Sequence, residues 1–250
     1  MRTEEFISFL LEKNKDSEGL KRLQQSVPLG FDAVDNVVYS QKRESPFTVS
    51  HTCVTGARKT VFLKRLLLTL VSLYDKTEAN FLIASPNDEY GEFLRLQGAD
   101  VTVPYVKDRT DLLKIKDCVR EIIQLQSRGQ GCPKLILLLD GLDEIDGCNK
   151  NGDLEEYREF FELLARRTQV EIISGANLMK SIFSGYPGAF VGVGNCLVTT
   201  REEGKADVTY VEDDSSLSPP TLMSYCETPS ITESIIWLNA SQTKREGETQ

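Results

Sequence analysis

The sequence predicts an α/β fold in which a mostly parallel β-sheet is flanked by helices on both faces. Short segments that are almost wholly apolar, such as PKLILLLDG at 133–141, alternate with longer amphipathic segments over about 150 residues. Strands that are apolar throughout are typical of a parallel sheet covered on both sides, and the alternation indicates right-handed β–α–β units. The contents of hydrophobic residues, 40%, and charged residues, 27%, are ordinary for a globular protein.

The predicted elements follow one another in a regular order. Residues 1–26 have the spacing of one or two amphipathic helices. Residues 27–51 combine turn formers with β-branched segments, which predicts a short hairpin or meander leading into a core strand. The elements predicted from there are strand 46–52, helix 59–75, strand 79–86, short helix 87–98, strand 99–106, helix 111–129, strand 133–141, helix 153–168 and strand 170–176.

We expect three segments: an N-terminal helical segment at 1–26, an α/β domain at 27–212 and an acidic, polar C-terminal tail at 213–250 that is partly disordered. After Gly175 the alternation weakens, although 194–200 and 206–211 are predicted strands, as a hairpin on the sheet edge. In the tail, the stretch around Trp237 is too apolar to remain in water, whereas the last ten residues are expected to be disordered.

The segment between the first core strand and its helix resembles a phosphate-binding loop. The pattern G-x-x-x-x-G-K-[ST] laid over CVTGARKT, residues 53–60, matches at Lys59 and Thr60, but Cys53 and Arg58 replace the two framing glycines. In a working loop, backbone N–H groups and the helix N-terminus face the phosphates, the Lys reaches the outer phosphates and the hydroxyl binds Mg²⁺. The candidate nucleotide-binding residues are Gly56, Ala57, Arg58, Lys59 and Thr60.

The lost glycines weaken this interpretation. Glycine lets the backbone turn tightly and approach the anion closely, and a positive φ at Arg58 would be strained. Three alternatives stay open: nucleotide binding with hydrolysis, binding without turnover, and a strand–helix turn that holds no nucleotide.

A second motif, KLILLLDGLDEI at 134–145, is a hydrophobic strand that ends in an acidic turn. A carboxylate at that position holds Mg²⁺ directly or through water, so Thr60 and Asp140 are the candidate metal ligands. A second carboxylate often follows directly, but here the next residue is Gly141. Asp140, Asp143 and Glu144 are therefore the candidate catalytic residues. The alternative is a buried strand stopped by solvated acids.

Together these features resemble the motor domain of FtsK/SpoIIIE-type (FtsK–HerA) P-loop ATPases, with a RecA-like sheet, over residues 27–212. The matching segments are VPLG (27–30), SPFTVSHTCVTGARKT (45–60), LLLTL (66–70), FLIASPND (81–88), ELLARRTQVEIISGA (162–176) and GVGNCLVTT (192–200). The resemblance implies ATP and Mg²⁺ as cofactors and protein subunits of a larger assembly as partners, further copies of the chain among them.

Departures from the family pattern change the expected function. Both loop glycines and the Glu after Asp140 are absent, the sensor strand has Asn177 as its nearest amide, and Arg166-Arg167 fit a solvated helix end better than an arginine finger. We therefore expect a non-catalytic or weakly nucleotide-binding assembly or regulatory module of a DNA-transfer or secretion machine, and no efficient ATPase. The alternatives are an active ATPase motor that moves DNA or protein, and a NACHT-like signalling switch, which the turn at 140–144 favours.

Charge and composition limit which partners and which cellular compartment we expect. The net charge is −9, and proteins that bind duplex DNA tightly usually carry a basic face. We therefore do not expect the isolated chain to bind duplex DNA tightly. No run approaches the roughly 18 apolar residues of a membrane span, and the N-terminus is a poor signal peptide. Six cysteines without a C-x-x-C pair, and one His, give little material for zinc. We expect a cytoplasmic protein.

Overall fold

The computed structural model describes most of the chain outside the region 142–169. The described residues are 1–16, 18–19, 22–23, 26–40, 50–74, 76–104, 106–107, 109–127, 133–141, 170–175, 195–200, 202–210, 218–225 and 230–248. The predicted helix at 153–168 lies outside them.

Four α-helices and a short 3-10 helix are bounded within these residues. The α-helices are α1 (Thr3–Lys13), α2 (Lys59–Leu73), α3 (Arg109–Ser127) and α4 (Ile231–Glu248), and the 3-10 helix spans Gly91–Arg95. The strands are β1 (Pro28–Phe31), β2 (Val37–Tyr39), β3 (Ser50–Gly56), β4 (Ala79–Ala84), β5 (Asp100–Thr102), β6 (Lys134–Asp140), β7 (Val170–Gly175), β8 (Asn195–Thr200), β9 (Lys205–Tyr210) and β10 (Thr221–Ser224).

These strands form one ten-stranded sheet in the order β2-β1-β10-β9-β8-β3-β7-β6-β4-β5. The block from β8 to β5 is parallel throughout. The remaining strands extend it with antiparallel pairings. The predicted antiparallel pair of β8 and β9 is present, but it does not close the sheet edge, because β8 pairs with β3 and β9 continues to β10. Within 27–51, where the sequence predicts a short hairpin or meander, β1 pairs antiparallel with β2 at the far edge of the sheet, and residues 41–49 lie outside the described residues.

Helices cover both faces of the parallel block, as the sequence predicts. The connection from β3 to β4 through α2 runs across the sheet in one direction, and the connection from β5 to β6 through α3 runs back. Right-handed crossovers therefore place α2 and α3 on opposite faces. On α2, Phe62, Leu66 and Leu70 are buried in one core with Leu138 of β6. The predicted α/β architecture is confirmed.

Residues outside 27–212 share this core. Ile7 of α1 and Ile235 and Leu238 of α4 are buried in the same cluster as the apolar face of α2. The division into three segments stays a prediction, but one difference is clear: α4 continues to Glu248, through residues expected to be disordered. A docked first turn supplies the helix nucleus, and each further residue then adds a hydrogen bond at small cost.

Among the described residues, no helix combines the length and the hydrophobicity that crossing a membrane requires.

Candidate nucleotide-binding site

The candidate site lies at the edge where the parallel strands end. The end of β3 leads into the loop before α2, β6 ends at Asp140, and β7, which ends at Gly175, lies between them. The carboxyl ends of parallel strands form the usual ligand-binding edge of an open α/β sheet. The fold therefore places the two predicted motifs next to each other.

The two predicted metal ligands are in direct contact. The Thr60 hydroxyl, in the first turn of α2, donates a hydrogen bond of 2.7 Å to Oδ2 of Asp140, and Asp140 is only 4% exposed. A hydroxyl beside a carboxylate is the protein contribution that a Mg²⁺–nucleotide site requires.

A third side chain, Tyr90, also contacts Asp140, and the sequence analysis missed it. Its hydroxyl donates to the same Oδ2 at 2.9 Å, and the residue is fully buried. Burial, followed by the negative charge of Asp140, raises the pKa of Tyr90 well above its usual value, so the phenol keeps its proton and stays a donor. The available signal was position: Tyr90 follows β4, whose carboxyl end lies at the same edge as that of β6.

Gly175 leaves room for the carboxylate of Asp140. A Cβ atom at Gly175 would lie 2.6 Å from Oδ1 of Asp140 and 2.6 Å from Cδ1 of Leu63. Both distances are shorter than a van der Waals contact allows. The last residue of β7 must therefore be small for Asp140 to reach Thr60.

The loop itself has the backbone conformation of a glycine-containing turn. Gly56 has φ 88° and Arg58, directly before α2, has φ 63° and ψ 26°. The chain thus takes the left-handed conformation at the position of the missing glycine, although Arg has to be strained to do so. That this loop holds a triphosphate poorly stays a prediction.

Residues of β8 and of the turn after it hold the loop. The Thr200 hydroxyl donates to the carbonyl oxygens of Thr55, at 3.2 Å, and of Ala57. A Cβ atom at Gly56 would lie 2.5 Å from the Thr200 carbonyl oxygen. The retained Gly56 therefore allows β8 to approach the loop closely.

The Arg58 side chain is paired within the protein. Its guanidinium donates a hydrogen bond of 2.7 Å to Oε2 of Glu203, in the turn between β8 and β9. The other carboxylate oxygen, Oε1, lies 3.7 Å from the guanidinium of Arg65, a buried residue of α2. The hydrogen bond from Arg58 and its charge lower the pKa of Glu203.

Lys59 and Cys53 complete the loop. Within the described part of the chain, Lys59 has no ion-pair partner within 4 Å. Cys53, at the position of the first glycine, is half-buried, and burial raises the pKa of its thiol. At neutral pH this thiol is protonated and uncharged.

Several predicted residues lie outside the described residues. These are Asp143 and Glu144, and with them Arg166, Arg167 and Asn177. The structure therefore brings together Thr60 and Asp140 and places Gly56, Ala57, Arg58 and Lys59 in one loop beside them.

The described residues fit Mg²⁺ better than they fit the phosphates of a nucleotide. Thr60 and Asp140 offer the oxygen ligands that Mg²⁺ prefers, and no group of three or more His, Cys, Asp or Glu residues elsewhere in the described ranges could hold a metal ion. On the phosphate side, Arg58 adds a Cβ atom and a tied side chain where a close backbone approach calls for glycine.

Comparisons with known proteins address the fold. No protein-family model matches the sequence, and no curated protein matches it. The cytoplasmic domain of the type VII secretion ATPase EccC from Thermomonospora curvata is similar in structure, with a TM-score of 0.56 and 13% identity over 86% of this chain and 31% of that one. EssC (ATPases 2 and 3) from Geobacillus thermodenitrificans is also similar, with a TM-score of 0.53 and 11% identity over 88% of this chain and 50% of that one.

A protein titled only as an ATPase gives a TM-score of 0.51 and 11% identity over 84% of this chain and 94% of that one. The chain thus spans a third to a half of the length of EccC and EssC as solved, and most of the length of this ATPase. Identities this low establish the fold alone. The chain therefore has the fold of FtsK/SpoIIIE-type P-loop ATPases, as the sequence motifs predict.

Proposed function

We propose that the chain is a P-loop module with an impaired nucleotide site, which serves assembly or regulation in a protein-secretion or DNA-transfer machine. It works in the cytoplasm, and its partners are protein subunits of that machine, including further copies of the chain. The similarity in fold to EccC and EssC, the first titled a type VII secretion ATPase, supports this setting. The proposal adds weak binding of ATP with Mg²⁺ and little or no turnover.

The observation that carries the proposal is the conformation of Arg58. At φ 63° the residue takes a shape that suits glycine, at a cost of about 1–2 kcal/mol for a residue with a side chain. Unlike glycine, Arg58 adds a Cβ atom to the face of the loop, and its guanidinium forms a salt bridge with Glu203. A triphosphate held by backbone N–H groups needs the unobstructed approach that this residue removes.

The surroundings of Asp140 bear on turnover and not on metal binding. Thr60 and Tyr90 both donate to one oxygen of this buried carboxylate, which keeps Thr60 and Asp140, the candidate metal ligands, in place. The next residue, Gly141, supplies no carboxylate to orient an attacking water. When bound, Mg²⁺ would neutralise phosphate charge beside Thr60 and Asp140, but this chain contributes no described base.

The test compares nucleotide binding with turnover in the whole chain. Ligand at 100 times its dissociation constant stabilises a protein by about 2.7 kcal/mol, which raises the melting temperature by roughly 5–10 °C for a protein of this size. For weak binding we expect a Kd of about 1 mM, so 1 mM ATP with Mg²⁺ should raise the melting temperature by about 1–2 °C at most. We expect no phosphate release above that of buffer alone.

The Lys59→Ala variant is the control, since it removes the cation that faces the phosphates and should abolish any rise. A rise of several degrees at micromolar ATP together with steady phosphate release would contradict the proposal and establish the active motor.

The active motor is the second candidate, and one observation favours it. The contact of 2.7 Å between Thr60 and Asp140, with Lys59 available in the same loop, is the arrangement that a competent site needs. The NACHT-like alternative depends on the turn at 140–144, most of which lies outside the described residues, and no described contact favours it.

A further inference from the structure

The phosphate-binding loop is held from outside by one short segment of the chain. Thr200 ends β8 and binds the carbonyl oxygens of Thr55 and Ala57, and Glu203 follows three residues later and binds Arg58. These contacts join residues about 145 positions apart in sequence, so they depend on the complete sheet. The loop is therefore contacted at three successive points by the end of β8 and the turn that follows it.

Glu203 lies close to two arginines, Arg58 directly before α2 and Arg65 in the second turn of α2. Oε2 lies 2.7 Å from Arg58, and Oε1 lies 3.7 Å from Arg65. The Arg65 guanidinium lies 5.1 Å from the centre of the Tyr225 ring, and its side chain is only 7% exposed. The Arg65 side chain is thus held by burial, and its charge lies near the carboxylate that contacts Arg58.

The position of this contact coincides with the one strained residue of the loop. Arg58 is at φ 63°, and an L-residue holds a left-handed conformation only when its surroundings impose it. Its side chain is 48% exposed and the Glu203 pair is the one ion pair it makes among the described residues. The carboxylate of Glu203 therefore lies where it can hold the side chain of Arg58, whose backbone would otherwise leave the left-handed conformation.

We propose that Glu203 is a positioning residue that holds Arg58 in the left-handed conformation and so maintains the phosphate-binding loop without a bound anion. The Arg58–Glu203 pair replaces the conformational freedom that glycine gives this position in other loops of the kind. Removing the carboxylate then loosens the loop locally, and glycine at position 58 makes the carboxylate unnecessary.

The experiment uses four proteins without nucleotide: the wild type, Glu203→Gln, Arg58→Gly and the double variant. Hydrogen exchange at the amides of residues 56–60 measures loop opening, with the amides of β4 as an internal control. We expect Glu203→Gln to speed exchange at the loop about two- to fivefold, the range of an exposed ion pair, with no change in β4. The double variant should exchange at least as slowly as the wild type.

Melting temperatures provide the second readout. We expect Glu203→Gln to lower the melting temperature by roughly 1–3 °C, and the double variant to melt above Glu203→Gln because glycine removes the strain. Glu203→Asp, which keeps the charge, should lie between the wild type and Glu203→Gln. Arg58→Ala is the matched control, since it removes the ion pair but keeps the Cβ atom and the strain, and it should behave like Glu203→Gln.

Two results would overturn the inference. One is a lower melting temperature for Glu203→Gln with unchanged exchange at residues 56–60, which assigns the pair to general stability. The other is a double variant that melts no higher than Glu203→Gln. Neither result depends on ATP, so the proposed function stands or falls separately.

Discussion

The two halves of the candidate site differ in what holds them together. In the metal half, the buried Tyr90 and the half-buried Thr60 both donate hydrogen bonds to the buried Asp140 at the end of a core strand. In the phosphate half, Arg58 is strained, exposed and paired with an exposed Glu203. The comparison shows that the core fixes the metal half, whereas a single salt bridge and a hydroxyl hold the phosphate half. The proposed loss of nucleotide affinity therefore lies in the loop, beside sheet ends that keep the contact between Thr60 and Asp140.

The largest expected effect is in the metal half, at Asp140. The Asp140→Ala substitution leaves the buried hydroxyl of Tyr90 and the half-buried hydroxyl of Thr60 without their acceptor, and each unsatisfied buried donor costs about 1–3 kcal/mol. We expect the free energy of unfolding, measured by urea denaturation, to fall by about 2–5 kcal/mol. Asp140→Asn keeps one acceptor oxygen and should lose less. An unchanged midpoint for Asp140→Ala would show that this half is held by other contacts.

Tyr90→Phe separates the two hydrogen bonds of Asp140. The substitution keeps the ring and removes a hydrogen bond to a charged acceptor, so we expect a loss of about 1.5–3 kcal/mol in the free energy of unfolding. Tyr74→Phe is the matched control, because the Tyr74 hydroxyl donates at 2.6 Å to the neutral carbonyl of Leu23, a bond of about 0.5–1.5 kcal/mol. Equal losses of unfolding free energy in the two variants would mean that the bond from Tyr90 to Asp140 is no stronger than a bond to a neutral carbonyl.

Gly175→Ala tests how closely Asp140 has to approach β7. The added Cβ atom meets Asp140 and Leu63 at 2.6 Å, and overpacking of this kind costs about 1–3 kcal/mol. At Gly91, by contrast, the nearest atom is the free end of the Asp88 side chain at 2.9 Å, which can move. Gly91→Ala should therefore melt close to the wild type, and equally small losses at both positions would refute the crowded geometry.

The smallest expected effect is in the phosphate half and depends on pH. The hydrogen bond from Arg58 lowers the pKa of Glu203 below its ordinary value of 4.5. Because the folded-state pKa is the lower one, the contribution of Glu203 to stability is complete above about pH 4.5 and is lost as the pH falls through the folded-state value. The melting temperatures of the wild type and Glu203→Gln should differ at pH 6, and the difference should shrink as the pH falls below 4.5. A difference that stays the same or grows on acidification would contradict this account.

The fold was largely predictable because burial and periodicity are local properties of the sequence. The parallel strands and the apolar face of α2 follow from runs such as LILLL in β6, and the contact between Thr60 and Asp140 follows from the motifs and from strands that end at one edge. The contacts of Tyr90 and Glu203 were not predictable in the same way. They join residues 50 and 145 positions apart, and no spacing rule specifies which polar residue of a turn reaches the site.

The position of the β8–β9 hairpin is a similar case. The sequence predicts two strands that pair as a hairpin on the sheet edge, but it does not say which strand continues the sheet. The structure places β8 directly beside β3, and this neighbour is what brings Thr200 and Glu203 to the loop. Pairing partners are set by the packing of the whole sheet and not by the local pattern.

The most direct test of an intact metal half beside an impaired phosphate half is the affinity of Arg58→Gly for ATP with Mg²⁺, measured by calorimetry against the wild type. Relief of a steric cost of about 1–3 kcal/mol at the loop corresponds to a gain in affinity of roughly 5- to 150-fold, and the gain should disappear when EDTA removes Mg²⁺. Equal affinities of the two proteins, or a gain that is independent of Mg²⁺, would contradict the account.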